Sequence, residues 1–488
     1  MSASLRDKTF SAMLWNAVQF VGHQGIQMIT IVILARLLAP EKFGLVAMLT
    51  IFMAVATTCV ESGFGAALIQ RRHTSKIDCD SIFYFNLAMG FLATAVLWLC
   101  APLIAAFYQE PILAGLTRFL SFKLAIGGFA NVHFSLCRKK LDYRRLAIVE
   151  FAANLIAAVL GITLALRGAG VWALAAQQLA AHTLRSLFFW IKADWYPSLQ
   201  FSLQALREMF GFGSKMLASN LLGTIFKNIY LLIIGWAFTP AALGLYTVAL
   251  RIKNIPSQGL TTIVGNVMFP VFSTIQDDPA RVKRGMRQSI SLLCLINFPL
   301  MIGMAATAPS LLRILGEKWL PAVPFLQILC FSGLLFPLHV VNLSPLQALG
   351  RSDLLLRLEI IKKALTFINI MITFRWGVHA MVVGQAITAV FAYVLNSRYT
   401  GRLVGYPMSE QILDLLPNLS VALIMGGLVF GLQWLPFPNF WSRLLSQVIL
   451  GILVYYALCR LFRFAAVEEM KSVIAQRLPL LRPLIARI

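Results

Sequence analysis

The sequence predicts an all-α polytopic membrane protein of about 14 transmembrane helices. They form two six-helix pseudo-symmetric lobes, followed by two additional C-terminal helices. Three observations predict this: a composition that only lipid can solvate, apolar runs separated by loops of alternating charge, and a phrase that recurs in the second half of the chain.

Of the 488 residues, 59% are hydrophobic and only 12% are charged. A soluble chain cannot bury that much apolar surface. The net charge of +23, from 42 Lys+Arg against 19 Asp+Glu, would suit nucleic acid if it formed a surface patch. Instead the charges sit in short inter-helix loops, which is the orientation signature of a membrane protein, and no nucleic-acid partner is expected. The seven cysteines lie mostly inside apolar runs without metal-ligand spacing, so they read as small buried hydrophobes. No metal and no cofactor are expected. Residues 1–12 lack the apolar core and small-residue site of a cleavable signal peptide.

Helices 1 (13–38) and 2 (43–70) flank the turn Pro40-Glu41-Lys42-Phe43-Gly44-Leu45. The basic loop with Arg71, Arg72 and Lys76 precedes helix 3 (81–108), and helix 4 covers 112–136. Arg138, Lys139, Lys140, Arg144 and Arg145 lead into helix 5 (148–167), followed closely by helix 6 (169–191). Lys192 and Arg207 bracket the loop before helix 7 (208–238), and Pro240 opens the turn before helix 8 (242–272). Arg281, Lys283, Arg284 and Arg287 precede helix 9 (288–314), and helix 10 covers 321–349. Helices 11 (354–375), 12 (378–400), 13 (413–435) and 14 (440–462) complete the series. Segment 464–488 alternates basic and apolar residues and is expected on the membrane surface.

An even helix count puts both termini on one side. The poorer set of alternate loops holds only Arg36, Lys42, Arg167, Arg313, Lys318, Arg375 and Arg443. The other loops and both termini hold the remaining loop Lys and Arg, which places that side and both termini in the cytoplasm.

The phrase Pro40–Leu45 recurs as Pro240-Ala241-Ala242-Leu243-Gly244-Leu245. A second match pairs Gly170-Val171-Trp172-Ala173-Leu174 and Gln178 with Gly377-Val378-His379-Ala380-Met381 and Gln385. Helices 1–2 thus align with 7–8, and 5–6 with 11–12, so the repeat is six helices in parallel orientation. The expected divisions are 1–206, 207–402 and 403–488.

Nine basic residues fall inside the spans: Arg118, Lys123, Arg185, Lys215, Lys227, Arg251, Lys253, Lys362 and Lys363. Arg185 and Lys215 lie near helix ends, where snorkelling to the cytoplasmic interface is expected. Lys123, Lys227, Arg251, Lys253, Lys362 and Lys363 lie roughly 12–18 Å deep at 1.5 Å per residue. A charge there costs at least about 2.5–3.5 kcal/mol and needs water or a partner. The deep acids are Glu61 and Glu359. The surplus of cations matches an anionic substrate, phosphate-bearing above all. Glu359 precedes Lys362 and Lys363 by three and four residues, so this trio also fits an intrahelical ion network. Glu61 fits a structural pair or an ion-coupling acid. For His23, His182 and His339, packing is the favoured role. Pro256, Pro270, Pro299 and Pro337 are expected to kink helices 8, 9 and 10. No P-loop or soluble catalytic module is present, so no enzyme activity is expected.

Gly63-Phe64-Gly65-Ala66-Ala67-Leu68-Ile69-Gln70-Arg71-Arg72 resembles a phrase of Wzx-like polysaccharide flippases. Ala35–Pro40 with Phe43-Gly44-Leu45 does too, as do Phe269-Pro270-Val271-Phe272 before Gln276-Asp277-Asp278, and Ala348-Leu349-Gly350-Arg351-Ser352-Asp353. The similarity spans roughly residues 10–460 and is strongest to the lipopolysaccharide and exopolysaccharide branch. That branch belongs to the multidrug/oligosaccharidyl-lipid/polysaccharide flippase superfamily. The resemblance implies two lobes in a V around a central cavity. It also implies translocation of undecaprenyl-diphosphate-linked oligosaccharide across the bacterial inner membrane by alternating access, coupled to H+ or Na+ and without ATP. Membrane lipids are the other expected partners. Lys123, Lys227, Arg251, Lys253, Lys363 and Arg118 are the candidate substrate-binding residues, and Glu61 and Glu359 the ion-coupling candidates. A multidrug or organic-cation exporter of the same superfamily is the alternative, but it would want deep acids rather than deep bases.

Overall fold

A computed structural model of the chain describes residues 3–61, 64–71, 74–191, 193–275 and 277–462. Among the described residues, regular structure is helical throughout, with no strand. Helix 1 is Ala3–Leu37, and helix 2 is divided into Pro40–Met48, Thr50–Glu61 and Phe64–Gln70. Helices 3 to 6 are Lys76–Tyr108, Ile112–Lys139, Tyr143–Leu166 and Val171–Ile191. Helices 7 to 9 are Leu203–Ala237, Pro240–Thr274 and Pro279–Ala306, with a short segment Ala308–Leu315 after the last. Helix 10 runs through the 3-10 turn Glu317–Ala322, then Val323–Leu334 and Phe336–Ala348. Helices 11 to 14 are Ser352–Thr373, Val378–Val404, Met408–Gly431 and Phe440–Leu461. Each predicted run thus coincides with a helical segment. The segment 464–488, expected on the membrane surface, lies outside the described residues.

Among the described residues, eleven helices are long and apolar enough to cross a membrane by length and composition. Helices 6, 8 and 11 are not among these eleven. They carry Arg185, the pair Arg251 and Lys253, and the trio Glu359, Lys362 and Lys363. All three of these helices carry interior charge, and they take part in the charged clusters below.

Local chemistry sets the boundaries. Ser75 and Asp78 form a capping box at the start of helix 3, so two orphan amides are satisfied reciprocally. Asp142, Ser202 and Asp278 cap helices 5, 7 and 9 through their side chains. The second repeat match marks the turn before the sixth helix of each repeat. Gly170 (φ 58°) and Gly377 (φ 92°) both take a positive φ just before helices 6 and 12. Pro299 lies inside helix 9 as expected of a kink. Pro337 falls at the expected interruption of helix 10, and the Gly333 carbonyl that its missing N–H cannot reach accepts from Asn297 at 3.1 Å. The proline sits in the first turn of Phe336–Ala348, and the helix is broken before it at Leu335.

The chain divides into two compact units, Met1–Thr247 and Val248–Ile488. In the first, an aromatic core of Phe83, Phe129, Trp190 and Trp195 packs edge-to-face beneath the 193–202 loop. Helix 7 joins this unit partly through Thr58, whose hydroxyl lies 3.2 Å from that of Thr224. The break in helix 2 frees the Met48 carbonyl, and Tyr108 donates its hydroxyl to it at 3.1 Å. In the second unit, apolar packing of helices 9, 10, 12 and 13 surrounds a buried polar group. There Asn342 and Gln411 exchange two amide hydrogen bonds at 3.0 Å each. Gln411 also donates to the Tyr406 carbonyl and accepts from the Tyr393 hydroxyl. All seven cysteines are free and buried or half-buried.

Candidate functional site

Each unit brings part of its interior charge together. In the first unit, Glu150 on helix 5 accepts from Arg185 on helix 6 at 3.2 Å. The second terminal nitrogen of Arg185 donates to Nδ1 of His182 at 2.8 Å. Asn154, one turn beyond Glu150, donates to the other carboxylate oxygen at 3.3 Å. Lys123 on helix 4 lies within electrostatic reach of Arg185 and His182. Glu61, at the end of the middle segment of helix 2, is within electrostatic reach of Arg185 and Arg138. Helices 2, 4, 5 and 6 therefore converge two carboxylates, a lysine, an arginine and a histidine.

In the second unit, Glu359 on helix 11 bonds to Lys362 and lies 4.0 Å from Lys363. The intrahelical trio read from the spacing is thus realised. Lys253 on helix 8 sits with its ammonium 6.0 Å from the Phe336 ring centroid, a cation–π arrangement. The Lys253 stem packs so close to Gly333 that a Cβ there would meet its Cε at 3.0 Å. His339 on helix 10 lies within electrostatic reach of Lys253 and Lys362, and its Nδ1 is 3.2 Å from Nδ2 of Asn396 on helix 12. This cluster is built from helices 8, 10, 11 and 12. These are the repeat equivalents of helices 2, 4, 5 and 6, with His339 and Asn396 standing on helices 10 and 12 where the first unit has Lys123 and Arg185.

The other candidates fall as follows. Lys227 on helix 7 and Arg251 on helix 8 are exposed. In a span, an exposed charge needs a wet surface. Arg118 is instead laid over the Trp98 indole, 4.6 Å from its centroid. Arg185 is paired, with one terminal nitrogen on Glu150 and the other on His182. Its helix runs on to Ile191. Glu150 was missed because helix 5 was expected to begin at 148, which would leave it at the interface. The helix begins at Tyr143 on its Asp142 cap, so Glu150 lies two turns in. The signal was present: Asp142 is an N-cap residue type ahead of an apolar run.

Other basic residues on the side assigned to the cytoplasm tie helix ends together. Arg71 pairs with Asp78 and Glu208, Lys140 and Arg145 with Asp194, Lys283 with Glu410, and Arg287 with Asp414. Among the described residues, no group of three or more His, Cys, Asp or Glu is placed to hold a metal.

Comparison with known proteins agrees with this architecture. A family profile described as "Polysaccharide biosynthesis protein" matches residues 33–324. The chain is 26% identical over 442 residues to the lipopolysaccharide biosynthesis protein WzxC of Escherichia coli (strain K12), covering 87% of this chain and 88% of that protein. It is 28% identical over 355 residues to the teichuronic acid biosynthesis protein TuaB of Bacillus subtilis (strain 168), covering 72% and 73%. Among solved structures it is similar to the lipid II flippase MurJ in an inward closed conformation. The TM-score is 0.75 at 13% identity, covering 92% of this chain and 98% of that one, so the fold is shared. The chain is a multi-pass membrane protein that belongs to the polysaccharide biosynthesis protein family.

Proposed function

We propose that this protein is a flippase that carries an undecaprenyl-diphosphate-linked oligosaccharide repeat unit across the bacterial inner membrane by alternating access. It works from two six-helix repeats, is driven by an H+ or Na+ gradient, and catalyses no covalent step. Both termini face the cytoplasm. The observation that carries the reading is the pair of clusters on repeat-equivalent helices, with more cations than carboxylates in the second unit. Lys253, Lys362 and Lys363 stand there against Glu359. Phosphate oxygens suit ammonium and guanidinium groups in a low-dielectric setting, because charge-assisted hydrogen bonds strengthen there. Exposed Lys227 and Arg251 extend the same preference. Family membership supplies the glycan.

Under this reading Lys123, Lys227, Arg251, Lys253, Lys363 and Arg118 engage the diphosphate or acidic sugars, and Glu61 or Glu359 takes part in ion coupling. An organic-cation exporter would need interior carboxylates free to meet its cargo. Glu150 and Glu359 are salt-bridged, and Glu61 lies within reach of two arginines. The test is export of surface polymer by cells carrying each cation changed singly to Gln. Reduced export is expected for residues that meet the substrate, with normal amounts of protein in the membrane. Wild-type export from every variant would overturn the assignment.

A further inference from the structure

Glu150 and Glu359 each lie on the fifth helix of their repeat, seven residues past its first residue (Tyr143 and Ser352), against a basic side chain of the same cluster. The alignment that pairs helices 5–6 with 11–12 brings them within two residues of each other. Neither ion pair is closed. Arg185 meets Glu150 through one terminal nitrogen only, and its side chain keeps 30% of its exposure while Glu150 keeps 13%. Glu359 keeps 48%, against 18% for Lys362. A single-point, partly wet contact is one that a stronger anion can displace, unlike a bidentate buried fork.

A carrier of an anion must also return empty. Without cargo, its cations face one another in a medium of low dielectric. Lys123 and Arg185 already lie within electrostatic reach of each other, and Lys253 and Lys362 each lie within reach of His339. Uncompensated charge at membrane depth is costly. We propose that Glu150 and Glu359 are tethered counter-anions, which occupy Arg185 and Lys362 when the carrier is empty and yield them to the anionic group of the cargo when it binds. Release of cargo is then an exchange of one anion for another, with no bare cation left behind. Asn154 fits this role. It bonds the Glu150 carboxylate from the same helix, one turn away, and so holds it ready beside Arg185. This inference rests on the flippase reading and adds to it an internal competitor for the substrate.

Competition makes an unusual forecast: removing the competitor tightens binding and slows turnover. The probes are inorganic pyrophosphate and undecaprenyl diphosphate, titrated into purified full-length protein in lipid nanodiscs. Glu150→Gln and Glu359→Gln should each bind the probes about fivefold more tightly or better, in the range of ordinary coupling between sites. Polymer export in cells should fall at the same time. Glu150→Asp should restore both towards wild type, and Arg185→Gln combined with Glu150→Gln should abolish the gain in affinity. Unchanged or weaker binding by both Gln variants, with cooperative thermal unfolding retained, would show plain structural ion pairs and overturn the inference alone. Failure of wild-type protein to bind either probe would overturn the inference together with the diphosphate reading beneath it.

Discussion

Gly44 lies against the backbone of Pro240 so closely that a Cβ on it would stand 1.7 Å from the Pro240 carbonyl oxygen. The contact is reciprocal: a Cβ on Gly244 would stand 1.9 Å from the carbonyl oxygen of Pro40. The two copies of the repeated phrase are therefore each other's packing partners, proline carbonyl to glycine Cα, in the manner of close-packed membrane helices. Gly44→Ala and Gly244→Ala should each lower stability by about 1–3 kcal/mol, because backbone rather than a flexible side chain occupies the space. Gly223→Ala on helix 7 is the control. Nothing lies within 4 Å of its Cβ position, and alanine favours a helix by up to about 1 kcal/mol. Thermal unfolding in detergent separates the cases, and equal midpoints for Gly44→Ala and Gly223→Ala would refute the packing argument.

Helix 13 lies outside the six-helix repeat and docks through polar chemistry. The Asn342–Gln411 amide pair is fully buried, and both bonds are lost if either partner is removed. Gln411→Leu should destabilise the second unit by about 1–3 kcal/mol, since Oδ1 of Asn342 is left unsatisfied in an apolar surround while its Nδ2 keeps the Leu338 carbonyl. The double variant with Asn342→Leu should cost less than the sum of the two single changes. A double-mutant cycle on unfolding midpoints measures that coupling, and additivity would argue that the pair is not an energetic unit.

Lys139 closes the last turn of helix 2. Its ammonium donates to the carbonyls of Leu68 and Arg71 at 3.1 and 2.6 Å and to the Thr74 hydroxyl at 3.3 Å. A cation there satisfies orphan carbonyls and complements the helix dipole. Lys139→Met keeps the stem and deletes the donors, so it should cost about 1–2 kcal/mol. Faster proteolytic cleavage near residues 68–76 than in wild type is the expected readout. Wild-type cleavage rates would show that water replaces the ammonium at no cost.

The sequence exposed the helices because lipid enforces about 20 apolar residues per crossing, and each predicted run coincides with a helical segment. The repeat was equally legible, since a Pro-x-x-x-Gly turn leaves the same letters wherever the same turn is built. What it could not reveal was pairing. Glu150 looked peripheral until the Asp142 cap moved its helix start, and the partner of Arg185 sits on another helix. Charge type at depth is written along one helix, whereas the choice between an ion pair and an open binding cation is made by neighbouring helices. Lys253, set beside Phe336, and Arg118, laid on Trp98, each face an aromatic ring on a neighbouring helix.

Asp194 marks the loop between helices 6 and 7, outside the spans, and gives a pH test with a defined sign. A hydrogen bond from Lys140 at 2.7 Å, helped by the charges of Lys140 and Arg145, holds its carboxyl below the ordinary value. A carboxyl depressed by folding stabilises the fold above its unfolded pKa, about 3.9 for aspartate. That stability is lost as pH falls through the lower folded value. Between pH 5 and 8 the pair should therefore contribute a constant amount, below about 1 kcal/mol because the carboxyl is half exposed and salt screens it. Asp194→Asn should lower the unfolding midpoint slightly and uniformly across that range, and the gap from wild type should close only below about pH 4. It should also shrink as salt is raised from 0.05 to about 0.5 M. A gap that widens on acidification would have the wrong sign for a depressed carboxylate and would exclude the Lys140–Asp194 pair as its source.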